Sequence, residues 1–191
     1  QVSNHDDQEG ALAFPLETVE FPLLVSVGGA FEVNTNASLT SVTAAQLVSV
    51  GGAFSLSSND ALNSINFNGL TAVEGDLSVN ANGLNAGDTW TIDFDTVSTI
   101  GGSMAITANP NANVIEMPTL ANVDGDFTIQ DNGDLTTLDI DQLSGVVGFC
   151  RIRDNAILPC TEVDPVTDGV NNPAPSSWGL TGNNGGDCTV P

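Results

Sequence analysis

The sequence has almost no basic residues. Arg151 and Arg153 are its two basic residues against 24 Asp and Glu, and the formal net charge is −22. A charge of this sign repels nucleic-acid phosphates and anionic lipid headgroups, whereas cations and basic protein surfaces suit it. Tyrosine is absent, and no apolar run approaches the roughly 18 residues that a membrane-spanning helix needs. We therefore expect neither nucleic-acid binding nor membrane insertion.

Histidine is also scarce, since His5 in the polar N-terminal segment is the one histidine. A Ser/His/Asp or Cys/His catalytic device is therefore nearly excluded. Some β-helix enzymes use carboxylates alone, but no repeat here combines a dense Asp cluster with a basic substrate clamp. The sequence predicts a protein that is not an enzyme, with a carboxylate-based hydrolase as a remote alternative.

Three cysteines are few for a chain of 191 residues. The chain begins at Gln1, which we interpret as a processed, secreted product. In that setting Cys160 and Cys188 predict a disulfide that locks a tail rich in Gly, Pro and Asn, with a stabilisation of about 3 kcal/mol. Cys150 is interpreted as a small buried core residue rather than a nucleophile.

What the sequence does have is an internal repeat. V-G-G-A-F occurs at residues 27–31 and again at 50–54, and six anchor glycines follow one another at intervals of 23, 23, 27, 23 and 23 residues: Gly29, Gly52, Gly75, Gly102, Gly125 and Gly148. Seven residues after each glycine stands an asparagine: Asn36, Asn59, Asn82, Asn109, Asn132 and Asn155. Such a period is the signature of a stacked-repeat architecture.

Each unit reads L-x-x-V-x-G-x-F-x-V-x-x-N-x-x-L-x-x-V, with three short apolar segments that are too short for helices. A unit that cannot bury its apolar face alone must stack on its neighbours. This predicts an all-β fold, a single right-handed β-solenoid of about six 23-residue coils. The glycines would serve corners of positive φ or close backbone approaches, and the asparagines would tolerate left-handed corners and form an inward ladder.

This pattern resembles the leucine-rich-repeat-like right-handed β-helix of receptor L domains and of related fungal and bacterial cell-surface proteins. The resemblance covers about residues 16–160, and N-A-I-L-P-C (155–160) with G-N-N-G-G-D-C (182–188) is similar to the closing cap of bacterial members. It implies the right-handed coil and an extracellular, non-catalytic recognition or structural module, without a ligand. We divide the chain into an N-terminal arm (1–15), the solenoid (16–160) and a C-terminal cap (161–191).

Two local features depart from the plain repeat. The third unit carries four extra residues between Asn82 and Trp90, so Trp90 is either a core plug or an exposed contact. Asn36-Ala37-Ser38 matches a glycosylation sequon, but Asn36 belongs to the ladder and is expected to point inward and stay unmodified.

Acidic residues form a column through successive coils. Asp93, Glu116 and Asp139 follow Asn66 at one corner, and Asp95 and Asp141 come two residues after Asp93 and Asp139. Stacked carboxylates could hold Ca²⁺, although a solvated acidic rim is the simpler interpretation. A weaker group, Asp124, Asp126, Asp131 and Asp134, lacks the ligand loop D-x-D-x-D-G. No other cofactor is expected.

Short hydroxyl side chains suggest a flat outer face. The candidate residues are Ser41, Ser64, Thr91 and Thr137 in one column and Thr71 and Ser98 in another. Such rows could bind ice, a glycan or a protein, or could be an ordinary outer surface.

The two ends suggest how copies could join. Arg151 and Arg153 belong to the last coil, whereas the arm carries Asp6, Asp7 and Glu9 at the opposite end. These groups predict a head-to-tail contact between copies, and local pairing of the arginines is the alternative. The sequence therefore favours a secreted structural protein that self-assembles into an extracellular fibre or surface layer. A monomeric cell-surface adhesion module is the second hypothesis.

Overall fold

The computed structural model of the chain describes residues 15–85, 89–163 and 177–183. Within these residues the strands, in chain order, are β1 (Thr18–Glu20), β2 (Ser26–Val27), β3 (Phe31–Asn34), β4 (Ser41–Thr43), β5 (Ser49–Val50), β6 (Phe54–Ser57), β7 (Ser64–Asn66), β8 (Ala72–Val73), β9 (Leu77–Asn80), β10 (Trp90–Asp93), β11 (Thr99–Ile100), β12 (Met104–Thr107), β13 (Ala112–Glu116), β14 (Asn122–Val123), β15 (Phe127–Gln130), β16 (Thr137–Asp139), β17 (Gly145–Val146), β18 (Phe149–Arg153) and β19 (Ser177–Gly179).

Each coil contributes one strand to each of three faces, and the described strands pair in parallel. One face is a seven-stranded sheet in the order β19-β18-β15-β12-β9-β6-β3, and the next is a six-stranded sheet of two-residue strands from β17 to β2. The third face is divided into two three-stranded sheets, β1-β4-β7 and β10-β13-β16. The predicted β-solenoid of about six coils with a period of about 23 residues is confirmed, and the right-handed coil stays a prediction.

The third face is interrupted where the repeat length changes. The four extra residues precede β10, and β10 pairs with β13 but not with β7. Trp90, the first residue of β10, is 4% exposed. The prediction that Trp90 plugs the core is confirmed, and the exposed-contact alternative is wrong.

The core is a continuous stack of inward side chains, because alternate residues of each strand point into the coil. The rings of Phe31 and Phe54 stack with centroids 5.2 Å apart, and Phe67 meets Phe54 edge-on at 4.8 Å. Cys150 occupies the equivalent place in the last coil and is fully buried, and burial raises the pKa of its thiol to about 12. The interpretation of Cys150 as a core residue is confirmed.

The predicted asparagine ladder is present, and it is buried throughout. The backbone N–H and the side-chain Nδ2 of Asn59 both donate to Oδ1 of Asn82, at 3.2 and 3.0 Å, and the other rungs repeat this arrangement. Nδ2 of Asn59 also donates to the carbonyl of Val33 in the preceding coil. Each rung therefore fastens its own coil to both neighbours.

The ladder is longer than the sequence pattern indicates. Asn183 lies within the predicted cap, accepts from Nδ2 of Asn155 at 3.3 Å and donates to the carbonyl of Ile152 at 2.7 Å. At the other end Asn36 is 1% exposed, so the prediction that its sequon points inward is confirmed.

The corners differ in one respect from the expectation. The residue before each ladder asparagine has the positive φ, rather than the asparagine or the anchor glycine: Thr35, Ser58, Ala81, Ala108, Asp131 and Asp154. This preceding residue makes the turn because the asparagine must aim its side chain at the next rung. The expectation of left-handed asparagines is therefore wrong.

Five of the six anchor glycines are explained by close contact between coils, whereas a Cβ on Gly29, in the first coil, would meet no described atom within 4 Å. A Cβ built on Gly75 would lie 2.7 Å from the carbonyl carbon of Gly52. Because this neighbour is backbone, it cannot move aside without separating two coils. Of the two reasons considered for the glycines, close backbone approach is the right one.

The C-terminal region continues the solenoid after a short helical segment. Residues 160–163 are helical, and β19 adds to the seven-stranded sheet beside β18. Cys150 is the free cysteine of the described residues, and Cys188 lies outside them, so the Cys160–Cys188 disulfide stays a prediction. No helix in the described ranges is long and apolar enough to cross a membrane.

Candidate functional site

The acidic column is the strongest candidate site. The register of β10, β13 and β16 places Asp93 beside Glu116 and Glu116 beside Asp139. Asp95 lies just after β10, where its backbone N–H donates to Oδ1 of Asp93 at 2.9 Å. Carboxylate oxygens of Asp93, Asp95 and Glu116 all lie within 4.8 Å of one another. Asp141 is exposed and does not belong to this group.

The environment of the column disfavours its negative charge. Partial burial raises the pKa of Asp95, and the neighbouring charges of Asp93 and Asp139 raise it further. The pKa of Glu116 is raised in the same way, first by burial and then by Asp93, Asp95 and Asp139. Oδ1 of Asp139 is shielded from solvent and has no hydrogen-bond partner. A cation among these oxygens would relieve this repulsion.

One further acid, Glu162, contacts the backbone next to the column. Glu162 follows Asp139 by 23 residues and lies in the helical segment after the last full coil, where its Oε2 accepts from the backbone N–H of Leu138 at 3.2 Å. The repeat spacing alone could have identified Glu162. The carboxylates of Asp93, Asp95 and Glu116 are oxygen ligands of the kind that Ca²⁺ prefers.

We expect Ca²⁺ to stabilise the protein through Asp93, Asp95 and Glu116. At a Ca²⁺ concentration of about 100 Kd the stabilisation is about 2.7 kcal/mol, which raises Tm by roughly 5–10 °C for a chain of this size. The double variant Asp95→Asn/Glu116→Gln should lose this response. The measurement is thermal unfolding by circular dichroism with Ca²⁺ or with EDTA.

The matched control is Asp60→Asn/Asp134→Asn, which removes the same charge from acids outside this group and should keep the calcium response. Without calcium, the native state takes up protons at Asp95 and Glu116 more readily than the unfolded chain. Their contribution to stability should therefore increase as pH falls from the raised pKa values to the ordinary carboxyl range. A Tm that is indifferent to Ca²⁺ and EDTA would leave the solvated acidic rim as the correct interpretation.

The second acidic group of the sequence analysis does not converge. Asp124, Asp126, Asp131 and Asp134 contribute no cluster of carboxylate oxygens close enough for one ion within the part of the chain described here. Asp126 instead accepts the backbone N–H of Phe149 at 2.8 Å.

The predicted flat face is broken up in the structure. Ser41 and Ser64 lie in register in one three-stranded sheet, whereas Thr91 and Thr137 belong to the other. The hydroxyls of Thr71 and Ser98 donate to carbonyls of the preceding coil at 3.1 Å. These hydroxyls hold coils together, so the column of Thr71 and Ser98 is partly engaged within the molecule.

The seven-stranded sheet carries a more regular outer surface. Its outward residues form two rows in strict register, the first being Glu32, Ser55, Ser78, Ala105, Thr128 and Arg151, and the second Asn34, Ser57, Asn80, Thr107, Gln130 and Arg153. We call these two rows the polar face. Within it Ser55 and Ser57 both donate to Oδ1 of Asn34, at 3.2 and 2.9 Å.

Both arginines have partners within their own chain. Arg151 lies 3.7 Å from Asp126 and its guanidinium stacks over the ring of Phe149 at 4.4 Å. Arg153 donates to Gln130 at 2.9 Å and lies 3.7 Å from Asp154. Local pairing, the alternative kept open above, is therefore present. Asp6, Asp7 and Glu9 lie outside the described residues, so their contact with a second copy stays a prediction.

No family model, curated protein or solved structure matches the chain. The resemblance to L-domain-like repeats therefore depends on the repeat pattern itself and stays a hypothesis. The coil architecture and its surface are the basis for any functional conclusion.

Proposed function

We propose that the chain is a non-enzymatic, secreted structural protein that assembles head to tail into an extracellular fibre or surface layer. The supporting observation is the distribution of exposed apolar side chains. Seven large ones are exposed in the described ranges, and all but Leu84 lie in the first two coils or the last: Leu23, Val25 and Val48 at one end, and Val147, Phe149 and Ile157 at the other. Leu23 is 88% exposed.

Burial of these side chains between copies would supply the driving force. Full burial of a Leu or Val side chain is worth about 1.5–3 kcal/mol. Because the first and last coils differ in sequence, the contact joins unlike surfaces and repeats from copy to copy. An interface of this kind extends into a fibre rather than closing into a dimer.

Charge supports the same orientation. Glu17 and Glu20 are exposed at the first strand, and the arginines lie in the last coil. The present ion pairs of Arg151 and Arg153 are half-exposed, and pairs of this kind contribute only about 0–1 kcal/mol. The arginines can therefore exchange their partners for acids of a second copy at little cost.

The ends can be tested by substitution. Leu23→Ser/Val25→Ser should raise the concentration at which polymers form by at least about tenfold, because it removes apolar surface from one side of the joint. Leu84→Ser is the matched control, since it removes an exposed leucine from the middle of the chain and should leave assembly unchanged. Analytical ultracentrifugation over a concentration series gives the measurement.

A mixing experiment tests the orientation. Val147→Ser/Ile157→Ser alters the opposite end, so it can form one joint with Leu23→Ser/Val25→Ser and no more. A 1:1 mixture of the two variants should therefore stop at dimers, while the unaltered protein grows longer. Monodisperse monomers of the unaltered protein at high concentration would refute the proposal.

A second candidate function is a monomeric cell-surface recognition or adhesion module, and the polar face favours it. In the middle of this face, on β6, β9 and β12, the Ser, Thr, Asn and Ala residues of both rows lie in register on the widest sheet. Thermal hysteresis in a freezing assay would support ice as the ligand, and retention on immobilised glycans would support a sugar.

A further inference from the structure

A groove runs across the outer side of the six-stranded sheet. It has a volume of about 490 Å³ and spans three successive coils at β8, β11 and β14. The middle coil contributes Thr99 and Gly101, and the flanking coils contribute Glu74 on one side and Asn122 and Asp124 on the other. A Cβ on Gly101 would collide with the carbonyl oxygen of Glu74, so this position has no side chain and the floor of the groove is bare.

Four acidic residues lie at or next to the groove, and they differ in whether the protein itself engages their carboxylates: Glu74, Asp76, Asp124 and Asp126. Asp76 accepts the backbone N–H of Ser103 at 2.7 Å, and Asp126 accepts that of Phe149 and pairs with Arg151. These two carboxylates are engaged in holding the corner. Glu74 and Asp124 are exposed, and no hydrogen bond or ion pair joins either side chain to the described part of the protein.

We propose that the groove between Glu74 and Asp124 binds a cationic side chain of a basic partner protein, an arginine or a lysine presented on an extended segment. One coil lies between the two carboxylates, so their strands are two inter-strand spacings apart, roughly 10 Å. A single Ca²⁺ ion, with ligands at about 2.3–2.6 Å, cannot bridge that distance. A planar guanidinium that enters the gap can donate to one carboxylate and to the neighbouring polar groups of Thr99 and Asn122.

The partner is a different protein rather than a second copy. Arg151 and Arg153 are the two basic residues of this chain, and both lie in the last coil, where the proposed joint between copies would use them. A net charge of −22 attracts basic segments from solution. Within the groove, Glu74, Asp124 and their polar neighbours offer such a segment specific contacts.

Titration with an acetylated, amidated tri-arginine peptide at physiological salt tests this proposal. Amide chemical shifts in two-dimensional NMR should move for Thr99, Gly101 and Asn122, and the same titration gives Kd. Glu74→Gln/Asp124→Asn should weaken binding about tenfold, since each exposed ion pair is worth up to about fivefold. Asp60→Asn/Asp134→Asn removes equal charge elsewhere and should change Kd by less than about twofold.

A second variant fills the groove from within. Thr99→Lys places an ammonium group between the two carboxylates, so it should abolish the peptide-induced shifts while leaving the fold intact by circular dichroism. Equal weakening by the two double variants would mean that binding follows net charge alone, and the proposal would be wrong. Shifts that centre on the acidic column instead of the groove would overturn it as well.

Discussion

Asn109→Ala should lower the free energy of unfolding by about 3–6 kcal/mol, because it leaves several buried polar groups without partners at about 1–3 kcal/mol each. Oδ1 of Asn109 accepts from the backbone N–H of Asn82 at 3.0 Å and from Nδ2 of Asn82 at 3.2 Å. Its Nδ2 donates to the carbonyl of Val79 at 2.9 Å. All these groups are sealed in the core, so water cannot replace the lost bonds.

Asn63→Ala is the matched control, because Asn63 is an exposed asparagine of the same solenoid and its loss should cost no more than about 0.5 kcal/mol. Asn109→Asp is a second probe, since it keeps an acceptor but removes the donors and buries a charge. Urea unfolding followed by circular dichroism measures all three. If Asn109→Ala unfolded at the same urea concentration as Asn63→Ala, the ladder would not be the main fastening between coils.

Gly75→Ala should destabilise the protein by about 1–3 kcal/mol or more, although it adds a single methyl group. The new Cβ would lie 2.7 to 2.9 Å from three backbone atoms of Gly52 and Ala53. Two coils must then move apart, which stretches the hydrogen bond from Gly75 N–H to the carbonyl of Gly52, now 3.2 Å. The effect is measured by thermal and urea unfolding.

Gly133→Ala makes the same chemical change where the coil has room. Its Cβ would meet the carbonyl oxygen of Pro110 at 3.6 Å, an ordinary contact. We expect this variant to be unchanged or more stable by about 0.4–1 kcal/mol, because alanine restricts the unfolded chain. If Gly75→Ala were as stable as Gly133→Ala, close backbone approach would not explain the anchor glycines.

The sequence predicts the coil well because every unit repeats the same spacing of glycine, asparagine and apolar residues. Six asparagines at the same offset from six glycines indicate a shared inward position, and β-branched and aromatic residues at alternate places indicate strands. The buried place of Cys150 follows from the same alignment, since it stands where Phe127 stands one coil earlier.

Features that depend on the three-dimensional path of one coil were not predictable in this way. The division of the third face coincides with the four extra residues before β10, and the spacing alone does not show that β7 and β10 stay unpaired. Glu162 was missed because it lies beyond the last recognisable unit, although its offset of 23 residues from Asp139 was available. The residue with positive φ varies from Thr to Ala to Asp, so no single residue type marks it.

The surface was the hardest part to predict from the sequence. The columns of serine and threonine cannot be told apart in the sequence. In the structure, however, the hydroxyl of Thr71 donates to a carbonyl of its own molecule, whereas Ser78 lies on the polar face. The same holds for two acids of one coil, Glu74 and Asp76. The carboxylate of Asp76 accepts a backbone N–H of the next coil, whereas that of Glu74 does not. Which side chains stay available for a partner depends on these internal bonds.

The asparagine ladder gives the solenoid a dipole along its axis. Each described bond between two ladder asparagines, from Asn36 to Asn183, runs from Nδ2 of one asparagine to Oδ1 of the asparagine in the following coil. The side-chain amide dipoles therefore add along the axis, with their N–H ends facing the C-terminus, as peptide dipoles add along a helix. A rod built this way has a positive and a negative pole, and copies that join pole to opposite pole would extend one continuous field.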